Sequence, residues 1–230
     1  MTRRVLAGIT TTTDMYFFGD EISATLAEAG MRAVVAESLI GFPTPRCPTT
    51  EDMLAKQREL LEAYKDHSLI TPSVAAHAPY SVQAADLVAD AELAEEYEVP
   101  MQIHLAETAW EVEKLLEEKG LSPVAYLANL GVLSERTVAA HCVHVSPEDI
   151  ELLAEFEAGV SHNPVSNLKL ASGVSPVPAL IEGGVKLGLG TDGTASNNTL
   201  DLLRDMQLAA LLHKGVSGDP TVLAARTMLE

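Results

Sequence analysis

The feature that most constrains the fold is an alternation, along the whole chain, of short apolar segments and longer amphipathic ones. The short segments are rich in β-branched residues or alternate apolar with polar positions, which is typical of strands. The segments between them have helical spacing, and several end at a glycine. We therefore predict seven strands, each followed by a helix or by a loop that leads to one. The predicted strands cover residues 6–15, 31–40, 69–76, 101–105, 137–145, 159–163 and 185–190.

This order of elements favours a parallel sheet with right-handed crossovers. A doubly wound sheet and a TIM (β/α)8 barrel both fit seven such units. The barrel is favoured because polar residues follow nearly every strand, whereas a doubly wound fold gathers them at its switch point. A complete barrel has eight strands and about 250 residues, but this chain has 230 and stops, at residues 228–230, inside a predicted helix. We predict a single, incomplete barrel domain over residues 1–230 with about seven of the eight units.

Composition excludes several classes of partner. The chain has 33 acidic and 15 basic residues, a formal net charge of −18, and 47% hydrophobic residues. A surface of this charge repels nucleic acid and anionic membranes, and no stretch approaches the roughly 20 apolar residues of a membrane helix. Acidic residues within 86–98 and 107–118 are expected on solvated helix faces. We predict a cytoplasmic protein with a small-molecule partner, and leave open whether it forms a homo-oligomer.

The most informative strand end carries His104 and, three residues later, Glu107. Taken alone, such a histidine is usually a hydrogen-bonded core residue, and such a glutamate serves the helix dipole. Other predicted strand ends carry His77, His141, His144, His162 and Asp192. Neutral imidazole and carboxylate are ligands of zinc and similar divalent metals, and a catalytic metal site keeps one position open for water. The pattern therefore predicts a hydrolytic metal site in which Glu107 transfers protons.

Four motifs occur in a recognisable order. They are His104-Leu-Ala-Glu107, Ala140-His141-Cys142, Ser161-His-Asn-Pro-Val-Ser-Asn167 and Gly190-Thr-Asp192-Gly193. Together they resemble the amidohydrolase superfamily, and within it the 5′-methylthioadenosine/S-adenosylhomocysteine deaminases and their triazine-hydrolase relatives. Residues 8–17 and 77–81 resemble the second and fourth barrel strands of these enzymes, so that the likeness covers the whole chain.

The resemblance implies a hydrolytic deaminase that converts an adenine nucleoside, S-adenosylhomocysteine or 5′-methylthioadenosine, to the inosyl product and ammonia. It implies one divalent metal, zinc first, with iron and manganese as alternatives. His104 and Asp192 would bind the metal, and His141 would bridge to it or orient the hydroxide. Asp192 would accept a proton from the attacking water, Glu107 would protonate the ring nitrogen, and His77 would hold the substrate.

Further candidates are weaker. Arg46, in the proline-rich loop 41–48, is a candidate substrate ligand, and Trp110 is expected either to stack on a purine or only to pack. His144 is expected on the same side as His141 if the strand stays regular, or else in the loop that follows, where it could support a site residue. His162 is expected either to support a site residue or to be structural, and Cys142 to fill the core rather than act as a nucleophile.

One departure bears on function. The family's first barrel strand carries a His-x-His pair that supplies two metal ligands, and this sequence contains no such pair. The family's small β domain is not represented either, and Met1 would fall in the helix before the second barrel strand, so we expect a fragment that is inactive alone. Two alternatives therefore stay open: a hydrolase of another amino- or chloro-heterocycle such as guanine, cytosine or a triazine, and a non-catalytic protein that binds its ligand.

Overall fold

The computed structural model describes residues 7–229. Within them, all strands lie parallel and follow one another in chain order across a single sheet. The strands are β1 (Thr11–Tyr16), β2 (Arg32–Leu39), β3 (Ile70–Pro72), β4 (Val74–Ala76), β5 (Met101–Leu105), β6 (Thr137–His141), β7 (Gly159–His162) and β8 (Lys186–Leu189). β3 and β4 are two parts of one predicted strand, interrupted at Ser73, and both pair with β2.

The sheet therefore has the seven predicted strand positions, and no pairing within the described part of the chain joins β1 to β8. This confirms the prediction of an incomplete (β/α)8 barrel. The predictions for Met1 and for Leu6 lie outside the described residues. The predicted first strand nevertheless begins too early, because residues 7–10 form a turn and irregular backbone and β1 starts at Thr11.

Helices connect the strands and pack on one face of the sheet. They are α1 (Gly19–Glu28), α2 (Thr50–Tyr64), α3 (Ala84–Glu96), α4 (Ala109–Lys119), α5 (Pro123–Asn129), α6 (Pro147–Glu155), α7 (Pro164–Lys169), α8 (Val177–Glu182) and α9 (Leu202–Ser217). Three of them begin with a capping box, at Thr49, Thr108 and Ser146, in which side chain and backbone satisfy each other's amides. None of the helices among residues 7–229 has both the length and the hydrophobicity needed to cross a bilayer.

Two predicted element ends are wrong. β6 stops at His141 instead of continuing to residue 145, because His141 and Cys142 have positive φ angles of 79° and 44° that end the extended backbone. Residues 225–229 form turns instead of the predicted helix. The preceding helix ends at Gly218 in a left-handed cap, and Pro220 cannot continue it.

Strand alternation separates the core from the opposite face of the sheet. On β5, Met101, Ile103 and Leu105 belong to the main apolar core under the helices, so Gln102 and His104 point to the other face. That face is the interior of the barrel. The carboxyl ends of the parallel strands meet at one rim, and the loops at this rim hold the candidate site.

Candidate functional site

Three histidines from neighbouring strands meet at the rim. The ring centroids of His77 and His104 lie 5.1 Å apart, and those of His104 and His141 lie 5.6 Å apart. They come from the ends of β4, β5 and β6, which pair side by side. The structure thus brings together three of the side chains that the sequence singled out.

The hydrogen bond of His104 determines which of its nitrogens is free. Nδ1 lies 2.8 Å from the carbonyl oxygen of His77. A carbonyl only accepts, so Nδ1 carries the hydrogen and Nε2 keeps its lone pair. Burial, and next the neighbouring His141, lower the pKa of His104, so its ring is neutral near pH 7. A histidine that donates one N–H to a backbone carbonyl has the usual orientation of a metal ligand.

His141 reaches the site through an unusual backbone conformation. It pairs with Leu105, whose side chain faces the helices, so a regular strand would turn His141 the same way. The left-handed φ of 79° instead brings its ring beside that of His104. Its Nδ1 lies 2.8 Å from Oδ1 of Asn167, and its Nε2 lies 3.7 Å from Oε2 of Glu107. With Nδ1 as donor, Nε2 faces the carboxylate.

Backbone hydrogen bonds hold this turn in place. The amide of Cys142 donates to the carbonyl of Leu105 at 3.0 Å. The carbonyl of Ala106, itself at φ 49°, accepts from the amides of Val143 and His144. The ends of β5 and β6 are therefore tied to each other where the two histidines leave them.

Glu107 projects from the loop between β5 and α4. Its Oε1 accepts a hydrogen bond from Oγ of Ser172 at 3.1 Å, and its side chain is 18% exposed. Its own amide lies 3.2 Å from the carboxylate of Glu111, which also closes the capping box of α4. Glu107 is thereby fixed with one oxygen toward His141 and the other toward Ser172.

Asp192 follows β8 and is held as a carboxylate. Burial acts to raise its pKa, but hydrogen bonds from Oγ of Ser166 and from the amide of Gly193, together with the electrostatic influence of His141, outweigh it and lower the pKa. Both bonds are 2.6 Å long. Its charge also acts on His104.

The donor set suits a divalent metal only in part. Two imidazole Nε2 atoms and one carboxylate are borderline-metal ligands, and the second nitrogen of each imidazole is bonded as in metal sites. Among residues 7–229, however, no three histidine, cysteine, aspartate or glutamate side chains lie close enough to enclose an ion. The described residues therefore supply some of the ligands of a divalent metal but not a complete set.

An aromatic face leads from the histidines to solvent. The ring of Tyr80 contacts His77 edge-on at 5.9 Å and Trp110 at 5.3 Å, and Trp110 is 57% exposed. Nδ1 of His77 donates a hydrogen bond to Oγ of Ser81, and that hydroxyl donates to the carbonyl of Ala78. Burial, followed by the neighbouring His104, lowers the pKa of His77 to about 4.

Arg46 has a partner other than a ligand. One guanidinium nitrogen lies 2.6 Å from Oδ2 of Asp20, and a second nitrogen contacts Oδ1. The guanidinium also lies over the ring of Phe18, 5.7 Å from its centroid. Contact with a substrate would require the Asp20 pair to open, and substrate binding by Arg46 stays a prediction.

The other histidines have structural contacts. His162 faces α9, where its Nε2 lies 3.4 Å from Nε2 of His213. His144 lies in the loop after β6, the second of its two predicted placements, and its Nε2 donates to the carbonyl of Ser172 at 2.6 Å. Cys142 is fully buried in the core, and burial raises the pKa of its thiol.

Sequence reasoning assigned no role to Asn167, Ser172 or Tyr80. Asn167 and Ser172 lie in or just after the Ser161–Asn167 motif, and Tyr80 lies in the segment 77–81 that resembles a barrel strand. The motifs were therefore the available signal, although only the fold shows what each side chain contacts.

Comparison with known proteins agrees with the family that the sequence motifs resemble. The model of the amidohydrolase family matches residues 1–229. A 5-methylthioadenosine/S-adenosylhomocysteine deaminase of Thermodesulfovibrio yellowstonii is 46% identical, over 97% of this chain and 51% of its own length. A 5′-deoxyadenosine deaminase of Methanothrix thermoacetophila is 44% identical, over 95% of this chain and 51% of its own.

A solved structure of an adenosine deaminase from Xanthomonas campestris with bound zinc superposes with a TM-score of 0.96 at 38% identity. The match covers 99% of this chain and 52% of that one. The chain thus spans about half the length of the relatives that it matches.

Proposed function

Because the chain belongs to the amidohydrolase family, we propose that it carries the catalytic rim of a hydrolytic deaminase of adenine nucleosides. The observation that carries this proposal is Glu107, held by Ser172 and facing Nε2 of His141 at 3.7 Å, beside the neutral ring of His104. A proton-transferring carboxylate next to candidate metal ligands is what hydrolysis of a ring C–N bond requires. The names of the relatives support the adenine nucleoside as substrate.

We infer that one divalent metal serves the reaction. Zinc is the first candidate because the Xanthomonas campestris structure holds it, and iron and manganese are alternatives. His104 through Nε2 and Asp192 through its carboxylate would hold it, with His141 as a third contact. When bound, such a metal supplies Lewis acidity that makes hydroxide available near neutral pH.

The chain's own residues account for the protons. In the reaction, a water oxygen bonds to the ring carbon and the amino group leaves as ammonia. Asp192 is ionised and can accept a proton from water, because Ser166 and Gly193 favour its charged form. Glu107 would give a proton to the ring nitrogen and regain one from the attacking oxygen, and Asp192 would pass its proton to the departing amino group, so that the two hydrogens of water end on the ring nitrogen and on ammonia. His141, held by Asn167, would orient the attacking oxygen. Each transfer is of the kind expected from a carboxylate or imidazole at hydrogen-bond distance.

The aromatic face supports a flat substrate. Trp110 and Tyr80 present a ring surface beside His77, and exposed indole is a favourable stacking surface for a purine. We therefore propose that Trp110, Tyr80 and His77 contact the substrate, while Glu107 faces its reacting edge. We also propose a cytoplasmic location.

A binding protein without catalysis is the second candidate. Two observations favour it: the sequence lacks a His-x-His pair, and the described residues hold no three-ligand group. A protein of this kind would keep the aromatic face and bind a nucleoside unchanged.

Product analysis on a panel of compounds tests these alternatives. The chain, supplied with zinc, is incubated with 5′-methylthioadenosine, S-adenosylhomocysteine, 5′-deoxyadenosine, guanine and cytosine, and products are identified by mass spectrometry. Trp110 is the only tryptophan, so its fluorescence reports binding separately. Release of ammonia from adenine nucleosides supports the proposal, conversion of another heterocycle redirects it, and quenching without conversion supports the binding protein.

A further inference from the structure

Asp90 is a buried acidic residue that has no hydrogen-bond donor among the described residues. Asp90 lies on α3, is 0% exposed, and neither carboxyl oxygen has a hydrogen-bond partner within residues 7–229. It falls in the acidic run 86–98 that the sequence places on a solvated face, and for this residue that prediction is wrong. A buried carboxylate without donors is strongly unfavourable.

The neighbour of Asp90, Gln57, also has a buried oxygen without a hydrogen-bond donor among the described residues. Gln57 of α2 lies beside it and is also 0% exposed. Both hydrogens of the Gln57 amide are engaged, because Nε2 donates to the carbonyl of Glu37 at 3.0 Å and to that of Ala75 at 3.2 Å. Its Oε1 is a buried acceptor without a donor among the described residues. The pair therefore presents three acceptor oxygens and no hydrogen to share.

We propose that Asp90 is protonated in the folded protein and donates its carboxyl hydrogen to Oε1 of Gln57. One proton then supplies the missing donor and removes the buried charge. The neutral acid–amide pair links α3 to α2. Through Nε2 of Gln57 it is also tied to the backbone of β2 and β4, and Ala75 on β4 lies two residues before His77.

Among residues 7–229, no charged group faces Asp90 from the elements around it. Burial is the main cause that raises the pKa of Asp90, to about 7. Gln57 lies close enough to lower that pKa as a hydrogen-bond donor, but both of its amide hydrogens already bond backbone carbonyls. The charged residues of α2 lie at the surface: Lys56 pairs with Glu59, Arg58 with Glu96 and Glu62 with Lys65, while Glu51 and Asp52 are exposed in its first turn. β4 has no titratable residue, and His104 of β5 faces the barrel interior. The proton on Asp90 is therefore the only charge variable in this contact.

The sign of the pH dependence follows from linkage. The carboxyl binds its proton more tightly in the folded state than in the unfolded state, so folding is favoured at acid pH and this contribution is lost as pH rises from about 4 to about 7. Across that window the unfolding constant should rise by up to about tenfold per pH unit through this one group.

The test compares denaturant unfolding of the whole chain between pH 5 and pH 8. Asp90→Asn has an N–H donor to Gln57 at every pH and should remove the rise of the unfolding constant with pH. The difference in free energy of unfolding between this variant and the wild type should therefore grow, in favour of the variant, as pH rises. Glu92→Gln makes the same charge change on the exposed face of α3 and should leave the rise unchanged. An equal pH slope in Asp90→Asn and the wild type would overturn the proposal.

A direct measurement covers the case in which Asp90→Asn does not fold. The carboxyl ¹³C shift of Asp90 in the wild-type protein, followed by NMR, should show the protonated form at pH 5 and titration near neutrality. An ionised Asp90 at pH 5 would contradict the proposal. Neither readout involves deamination, so failure here and failure of the proposed function are distinguishable.

Discussion

Two histidines end neighbouring, paired strands and are almost equally buried, yet they have different surroundings. His141 at the end of β6 is 2% exposed, and His162 at the end of β7 is 1% exposed. His141 faces Glu107 and His104, whereas His162 faces His213 of α9. The difference lies in the backbone, since a left-handed φ turns His141 toward the rim while His162 keeps the direction that a regular strand gives. Burial and position at a strand end therefore do not suffice to identify a site histidine.

The largest effect is expected when the carboxylate of Glu107, which faces His141 and has no counterpart at His162, is removed. Glu107→Gln should lower the rate of nucleoside deamination by about 10²–10⁴-fold, because the amide cannot transfer the proton. Nucleoside binding, followed by Trp110 fluorescence, should persist. Glu117→Gln changes an exposed carboxylate on α4, the helix that follows Glu107, and should have no effect. Equal losses in the two variants would show that Glu107 acts only through charge or stability.

A smaller effect should follow from loss of the group that orients His141. Asn167→Ala removes the acceptor of Nδ1 and should weaken metal binding by about 10–100-fold. Asn167→Asp keeps an acceptor and should restore most of the affinity. Titration with zinc, read by calorimetry, measures both.

The matched change on the other histidine is His213→Ala. It removes the partner of His162 and should leave zinc affinity unchanged while lowering the free energy of unfolding. A loss of zinc affinity comparable to that of Asn167→Ala would remove the distinction between the two histidines.

The last expected effect concerns pH. Burial, followed by the nearby His213 and His141, lowers the pKa of His162 to about 3. Its neutral form therefore stabilises the fold above about pH 6.5, and this contribution is lost as pH falls toward 3, by up to about 1.4 kcal/mol per pH unit.

His162→Gln should remove that part of the acid destabilisation, measured as the difference from the wild type in denaturant unfolding between pH 4 and pH 7. His67→Gln, an exposed histidine, is the control. Because Asp90 has the opposite sign, only the difference between variants isolates His162. An unchanged acid slope in His162→Gln would indicate that the His162–His213 contact tolerates a proton.

How much the sequence predicts depends on whether the structure is local. Strand number, strand order and the inward direction of His104 follow from alternation, which encodes faces directly. The placement of His141 could be predicted only through the motif, because regular alternation would point it toward the helices with Leu105. Positive φ at a residue other than glycine has no reliable sequence signal.

Side-chain contacts between segments that are distant in the sequence could not be predicted either. Asn167 meets His141 across 26 residues, and Ser172 meets Glu107 across 65. The burial of Asp90 was missed because an aspartate in an acidic helical run reads as a solvated residue, and only packing against Gln57 shows otherwise.

Elemental analysis tests most directly whether the imidazoles at the rim hold a divalent metal. The chain is purified without chelators beside His104→Ala and the exposed-histidine control His67→Ala. We predict about one equivalent of zinc, or of another divalent metal, in the wild type and in His67→Ala, and its loss from His104→Ala. No metal in the wild type, or the same metal content in His104→Ala, would contradict the account.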